Sequence, residues 1–212
     1  MELKSIDKDN GYIIDDVPVH IFEELKLHIQ DVNLPRANED LAGNISKEFH
    51  LPKGPQILES YILELKDMYT QRFKIMDHYT ILTDPLPFCL NSTWVNFQKK
   101  YEFNPVHVHS GLFSFVIWVQ IPYTKEQELN SDLCKASNTK AAGAFSFVYP
   151  DIQGNIQSDL INADKNYEGR IAFFPAKMAH CVYPFYTSDQ ERITVSGNVF
   201  LKVNHEHKNT TT

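Results

Sequence analysis

Cysteine is scarce in this chain of 212 residues: Cys89, Cys134 and Cys181 are odd in number and far apart. None forms a C-x-x-C pair, so neither a disulfide framework nor a cysteine-based zinc site is indicated. A reducing, intracellular setting is the expectation. Long apolar runs are also missing. The longest, Phe113 to Ile121, is broken by Ser114 and Gln120 and falls short of the ~18–20 residues of a membrane span. Met1 to Asp16 alternates charges and has no signal-peptide core. Basic residues do not predominate either. With 20 Lys and Arg against 27 Asp and Glu the net charge is −7, which argues against a dedicated nucleic-acid binder. There is no internal repeat and no low-complexity segment. What is present is 42% hydrophobic and 22% charged residues, enough for one well-formed core.

The apolar pattern divides the chain. Residues 1–84 read as a helical support, 85–203 as an antiparallel β core, and 204–212 as a polar tail expected to fray. An amphipathic helix is predicted over Val19–Val32, ending before Asn33-Leu34-Pro35. A short helix is predicted over Glu39–Phe49. A longer one is predicted over Pro55–Met76, where Ile57, Tyr61, Leu65, Met68, Phe73 and Met76 recur at threes and fours. Strands are predicted at Thr93–Gln98, Phe113–Ile121, Ala144–Tyr149, Arg170–Phe174 and Arg192–Val203. Between them Thr124–Gly143 reads as a long polar loop, of the kind that often forms a lid.

Of nine histidines, His20, His28, His50 and His78 read as surface or packing residues, and His205 and His207 as part of the tail. His107 and His109 are different. Residues at i and i+2 of a strand share a face, so both imidazoles can converge on one point, at the entrance to the most apolar segment of the chain. His180 follows the predicted strand 170–174 and its turn, where it can complete a three-histidine set on one side of a metal and leave the other side open. Arg192 opens the last strand with Thr194 and Ser196 on the same face, a good receptor for a carboxylate. The bland readings are an exposed histidine pair and a surface ion pair of Arg192 with Glu191 or Asp189.

The segments "TWVNFQKKYEFNPVHVHSGLFSFVIWVQIPY" and "GRIAFFPAKMAHCVYPFYTSDQERITVSGNVFL", with weaker similarity in "ANEDLAGNISKEFHL", carry a resemblance. They resemble the iron(II)- and 2-oxoglutarate-dependent dioxygenases, in the branch of prolyl 4-hydroxylases and similar phage-encoded oxygenases. The resemblance implies a mainly β fold with N-terminal helices, the double-stranded β-helix or jelly-roll, cupin-like barrel. It implies iron(II), 2-oxoglutarate as cosubstrate and O2, with 2-oxoglutarate converted to succinate as an unknown small molecule or protein side chain is oxidised, most simply hydroxylated. His107 and His180 then look like iron ligands. Arg192 looks like the grip on the distal carboxylate of 2-oxoglutarate, assisted by Thr194 or Ser196. Asn96 and Gln98 fall where they can line the cosubstrate pocket, and Trp118 near a pocket tyrosine of relatives. The apolar strand 113–121 with Phe173 and Phe174 is expected to keep the pocket dry. Substrate choice is expected in Thr124–Gly143 and the N-terminal helices, and the location is expected to be cytoplasmic, a host cytoplasm if the chain is phage-encoded.

One departure matters. Relatives carry H-x-D, and here the third position is His109. The favoured reading is a triad of His107, His109 and His180, because the i and i+2 geometry preserves the facial arrangement; the others are that His109 stands outside it and water fills the place, or that His109 is the first ligand with Gly111 at the vacant position. Three rival readings accompany the resemblance. A cupin shares the spacing of Gly169, Pro175 and His180 but lacks its first-motif glutamate and has no need of Arg192. A zinc hydratase or hydrolase would need a general base that the sequence does not offer. A non-catalytic barrel would bind neither iron nor 2-oxoglutarate.

Overall fold

The computed structural model describes residues 1–74 and 86–202. Its strands are β1 (Glu2–Ser5), β2 (Gly11–Asp16), β3 (Glu48–His50), β4 (Phe88–Gln98), β5 (Asn104–His107), β6 (Phe113–Gln120), β7 (Phe145–Pro150), β8 (Ile156–Ile161), β9 (Arg170–Pro175), β10 (His180–Val182) and β11 (Arg192–Leu201). The helices are α1 (Val19–His28), α2 (Gly54–Phe73), α3 (Lys125–Asn130) and α4 (Asp132–Lys135). A seven-stranded sheet in the order β1-β2-β9-β6-β11-β4-β3 faces a four-stranded sheet in the order β5-β10-β7-β8, and all pairings are antiparallel. This is the jelly-roll barrel that the resemblance implied.

Alternation along the large sheet makes two cores, because successive side chains in a strand point to opposite faces. Ile13, Val95, Ile117, Ile171, Phe173 and Val195 pack on one face against the helices, joined by Leu25 of α1. Helix α2 begins with Pro55 in its first turn, where the missing N–H costs nothing, and buries Leu58, Ile62, Leu65, Tyr69 and Phe73 against the same core. Tyr12, Ile14, Val116, Trp118, Ala172 and Phe174 face the barrel interior and meet Phe145, Phe147 and Ile161 of the small sheet. Phe173 therefore belongs to the helix-side core, and of the predicted aromatic pair only Phe174 faces the interior.

Several local expectations are corrected. Residues 39–49 are not helical: they form turns that end in β3, with bridges Arg36–Phe49 and Asn44–Phe103. The Asn38 side chain explains this, since it donates to the Ile45 carbonyl (2.8 Å) and accepts from the Glu48 N–H, offering the backbone an alternative to a helix. The N-terminal segment contributes strands as well as helices. Strand β1 is exposed along its whole length and charged, the usual dress of an edge, which hides it from a periodicity search.

Thr124–Gly143 is not a free loop. Thr124 and Gln127 form a capping box for α3, and the buried Glu128 accepts from the N–H groups of Tyr186 (2.8 Å) and Thr187 (3.0 Å), pinning the segment to the barrel. The end of the predicted helix at Met76, His78, the end of the last predicted strand at Val203 and the 204–212 tail with His205 and His207 lie outside the described residues. No helix among the described residues is long and apolar enough to cross a membrane.

The α2 core gives a direct test. Leu65→Ala is expected to lower stability to urea by about 2–5 kcal/mol, the range for truncating a fully buried leucine. A loss below about 1 kcal/mol would show that this helix face is not packed as described.

Candidate active site

Strand β5 delivers His107 at its end, and His109 follows two residues later. Val106 and Val108 between and before them point to solvent, so the period-2 alternation carries on past the strand and turns both imidazoles inward. Strand β10 lies between β5 and β7 and sets His180 directly opposite His107 in register. Seventy-three positions of sequence thus close into one cross-strand neighbour. A bond from the His109 N–H to the Ala176 carbonyl (2.8 Å) fixes the loop after β5.

One ring nitrogen from each of the three histidines lies within 4.8 Å of the others, and no carboxylate joins them among the described residues. Their tautomers follow from their partners. The Nδ1–H of His107 donates to the Pro105 carbonyl (2.8 Å) and that of His180 to the Met178 carbonyl (2.9 Å). A carbonyl can only accept, so each ring keeps its Nε2 lone pair free. The Nε2 atoms of His109 and His180 are 3.1 Å apart. No such carbonyl fixes the His109 tautomer among the described residues: as the Nε2–H form it donates to the His180 lone pair, and as the Nδ1–H form it brings a second lone pair that a shared cation would hold. Nitrogens bound at about 2.1 Å to one metal and at right angles to each other stand about 3.0 Å apart, so the donor set fits a metal. Phe145 stacks on His180 at 5.1 Å and Phe174 meets it edge-on at 4.9 Å, making a dry wall. Burial, with the other histidines nearby, pushes His109 and His180 down to about 3, and burial also lowers His107, so all three are neutral at pH 7.

The same cavity reaches Arg192, which is 2% exposed. Every one of its N–H groups is used. Nε and Nη2 donate to Gln98 Oε1 (3.1 and 2.5 Å), Nη1 to Tyr123 Oη (2.6 Å) and to the Gly143 carbonyl (2.7 Å), and Nη2 also to the Tyr183 carbonyl (3.3 Å). All four acceptor groups are neutral, and no described carboxylate pairs with it. A buried cation without an anion is costly, and an incoming carboxylate fits it.

The other predicted residues fall in place along the barrel wall. Asn96 stands opposite Thr194, Gln98 opposite Arg192, and Trp94 opposite Ser196; Trp118 neighbours Thr194 on the other side. All six predicted residues line the cavity, and Trp94 lines it with them. Gln98 is occupied, with its Nε2 donating to the Glu102 carbonyl (2.5 Å) and its Oε1 held by Arg192. Trp118 packs edge-on against Phe145 and Tyr167. The tyrosine beside the arginine is Tyr123, which sequence reading missed although it closes the quoted segment, right after the Pro122 that ends the apolar run. Gly111 does not line the cavity; a side chain there would meet the Val199 carbonyl at 2.6 Å. Residues 124–143 are not part of this wall. Leu41, Ala42, Gly43, Ile45 and Glu48 are.

A family model described as "Putative 2OG-Fe(II) oxygenase" matches residues 92–198, half of the chain. The chain belongs to the 2OG-Fe(II) oxygenases. It is an enzyme of that class, with iron(II), 2-oxoglutarate and O2 as the family's cofactors. The oxygenase is similar in fold to a prolyl-4-hydroxylase of Pseudomonas putida (TM-score 0.50, 12% identity, 91% of this chain and 94% of that one). It is also similar to a 2OG-Fe(II) oxygenase family oxidoreductase of Burkholderia pseudomallei (0.51, 15%, 89% and 84%). A third is a prolyl hydroxylase of Trichoplax adhaerens, solved with a hypoxia inducible factor peptide fragment (0.51, 12%, 90% and 84%). No curated protein sequence matches it.

The neutral histidines predict acid lability of the metal-free oxygenase. Their folded-state pKa values lie below the ordinary 6.5, so the unfolded chain binds more protons in that window. Stability is fully present above about pH 6.5 and is lost as pH falls toward 3, with a slope of up to about 1.4 kcal/mol per pH unit for the fully buried His180. Urea midpoints in chelator from pH 7 to pH 4 check this, and His180→Phe is expected to flatten the profile. A wild-type midpoint independent of pH would contradict it.

Proposed function

We propose that this oxygenase holds iron(II) on Nε2 of His107, His109 and His180 and the distal carboxylate of 2-oxoglutarate at Arg192, and that it couples decarboxylation of 2-oxoglutarate to hydroxylation of a second substrate. The observation that carries the reading is one cavity that contains both three converging imidazole nitrogens and a buried guanidinium with no acidic partner among the described residues. Bound together, iron and the cosubstrate supply the oxidative chemistry in which O2 is consumed and succinate and carbon dioxide are formed.

The residues of the chain have separate tasks. The carbonyls of Pro105 and Met178 hold two imidazoles with Nε2 facing the cavity. Gln98 and Tyr123 orient the guanidinium, and the Tyr123 hydroxyl, which donates to the Gly143 carbonyl (2.9 Å), can turn to share the incoming carboxylate. Thr194 and Ser196 lie one and two steps further along the same inward row and offer hydroxyls to it. Asn96 offers an amide. Phe145, Phe174 and Trp118 exclude water. Replacing the usual carboxylate by His109 leaves the site one unit more positive, which favours anionic ligands. In this reading residues 1–84 support the barrel of 85–203. The three free cysteines suit a reducing cytoplasm.

Anaerobic titration with iron(II) and then 2-oxoglutarate tests the proposal through the weak visible charge-transfer band of a chelated keto acid. The band is expected in the wild type. His180→Ala is expected to lose iron binding. Arg192→Ala is expected to keep iron but bind 2-oxoglutarate roughly 10–100-fold more weakly, as for the loss of a charge-assisted bond of about 1.5–3 kcal/mol. No band with iron bound would overturn the reading. His109→Asp separates the ligand arrangements: altered iron affinity places His109 on the metal, and unchanged affinity places it off.

A further inference from the structure

Three buried acceptors in the outer wall of this cavity have no donor: Glu48 Oε1, Asn96 Oδ1 and Asn104 Oδ1. Glu48 is 1% exposed and Asn96 6% exposed, and they face one another across the β3–β4 register. Gly43 lies over them. A Cβ there would be 2.5 Å from Glu48 Oε1 and 2.8 Å from Asn104 Oδ1, so these two oxygens flank one point just under the 37–47 loop. Buried polar atoms are nearly always paired, and three in one wall mark a place where donors belong.

Among the described residues no other side chain donates to them. Lys47, the next residue, is bound to Glu191 (2.8 Å) and faces away, while Arg36 reaches Asn38, the Ser46 carbonyl and the Phe49 ring. Among the described residues the other Glu48 oxygen has one long contact, from Asn38 Nδ2 (3.5 Å). Glu102 nearby already accepts from the Ser46 and Lys99 N–H groups and adds negative potential. Burial together with Glu102 pushes Glu48 up to about 7, so near neutral pH the carboxyl passes between its protonated and ionised forms, and a bound cation would favour the ionised one.

We propose that Glu48, Asn96 and Asn104 form the subsite for the second substrate of this oxygenase and select a molecule bearing a primary ammonium or guanidinium group. Resting on the reading of the site given above, this names the substrate class. A cationic head with several N–H donors satisfies all three oxygens at once, and its carbon chain then lies in the cavity that holds the histidines. When ionised, Glu48 disfavours a carboxylate there, so neighbouring positions of β4 sort opposite charges: Gln98 holds Arg192 for the anionic cosubstrate, and Asn96 faces Glu48, which takes the cationic substrate.

The test uses the full chain, anaerobic and loaded with iron(II) and 2-oxoglutarate. Nα-acetyl-lysine amide and Nα-acetyl-arginine amide are compared by calorimetry and ligand-detected NMR with the neutral Nα-acetyl-norleucine amide and Nα,Nε-diacetyl-lysine amide. The cationic probes are expected to bind about tenfold more tightly or better, and Glu48→Gln is expected to abolish the preference. Equal binding, no binding of any probe, or a preference that survives Glu48→Gln overturns the proposal. Should Glu48→Gln fail to fold, Asn104→Ala carries the same comparison, with a reduced preference expected and an unchanged one decisive against it. The charge-transfer band recorded on the same sample separates the two readings. A band without a cation preference removes only this inference, and absence of the band removes the oxygenase site reading.

Discussion

The guanidinium of Arg192 ties together more of this structure than any other group. It sits on β11 and bonds to β4 through Gln98, to the end of the β6 region through Tyr123, to the approach of β7 through Gly143, and to the exit of β10 through Tyr183. Those contacts join the large sheet to the small one at one end of the barrel. Each bond goes to a neutral acceptor, so the contacts hold the cation in place without cancelling its charge. A group placed for structural reasons in this way keeps its full attraction for an anion. The oxygenase thus gains rigidity and an anion receptor from one side chain.

Opposite this cation the three histidines are kept neutral by burial and by their carbonyl partners. Neutral donors suit a divalent ion because no proton has to leave before they can bind. The absence of a carboxylate among them shifts the electrostatic balance of the cavity to the positive side, and Glu48, pushed up to about 7, returns negative charge there only as it ionises. Neutral aromatic surface from Phe145, Phe174 and Trp118 lines the same cavity and lowers the local dielectric, which strengthens the charge interactions there.

The sequence showed the barrel strands whose two faces are both buried, because β6, β9 and β11 read as apolar or alternating runs bounded by turns. It also showed the three histidines and Arg192, because strand period and a short motif place them on one side. It did not show β1, whose charged edge has no hydrophobic signal, nor the three-residue β10, which exists because β5 and β7 hold it from both sides. The 37–47 loop was misread as helix because its spacing of apolar residues is helical, while the Asn38 side chain captures the backbone. Tyr123 and Glu48 escaped notice for a related reason. Their importance comes from partners 69 and 48 positions away, Arg192 and Asn96, and no local pattern records that.

The strand order has a kinetic meaning as well. β11 sits between β6 and β4, yet it is the last strand of the described chain. During synthesis β4 and β6 must wait, with their ladder edges unpaired, until residues 192–201 have left the ribosome. β2 likewise waits for β9, and His107 for His180. Such distant pairings carry a large loop-closure cost and make folding slow. The histidine set of this oxygenase therefore cannot assemble before residue 180 is made, and the receptor at Arg192 follows later still.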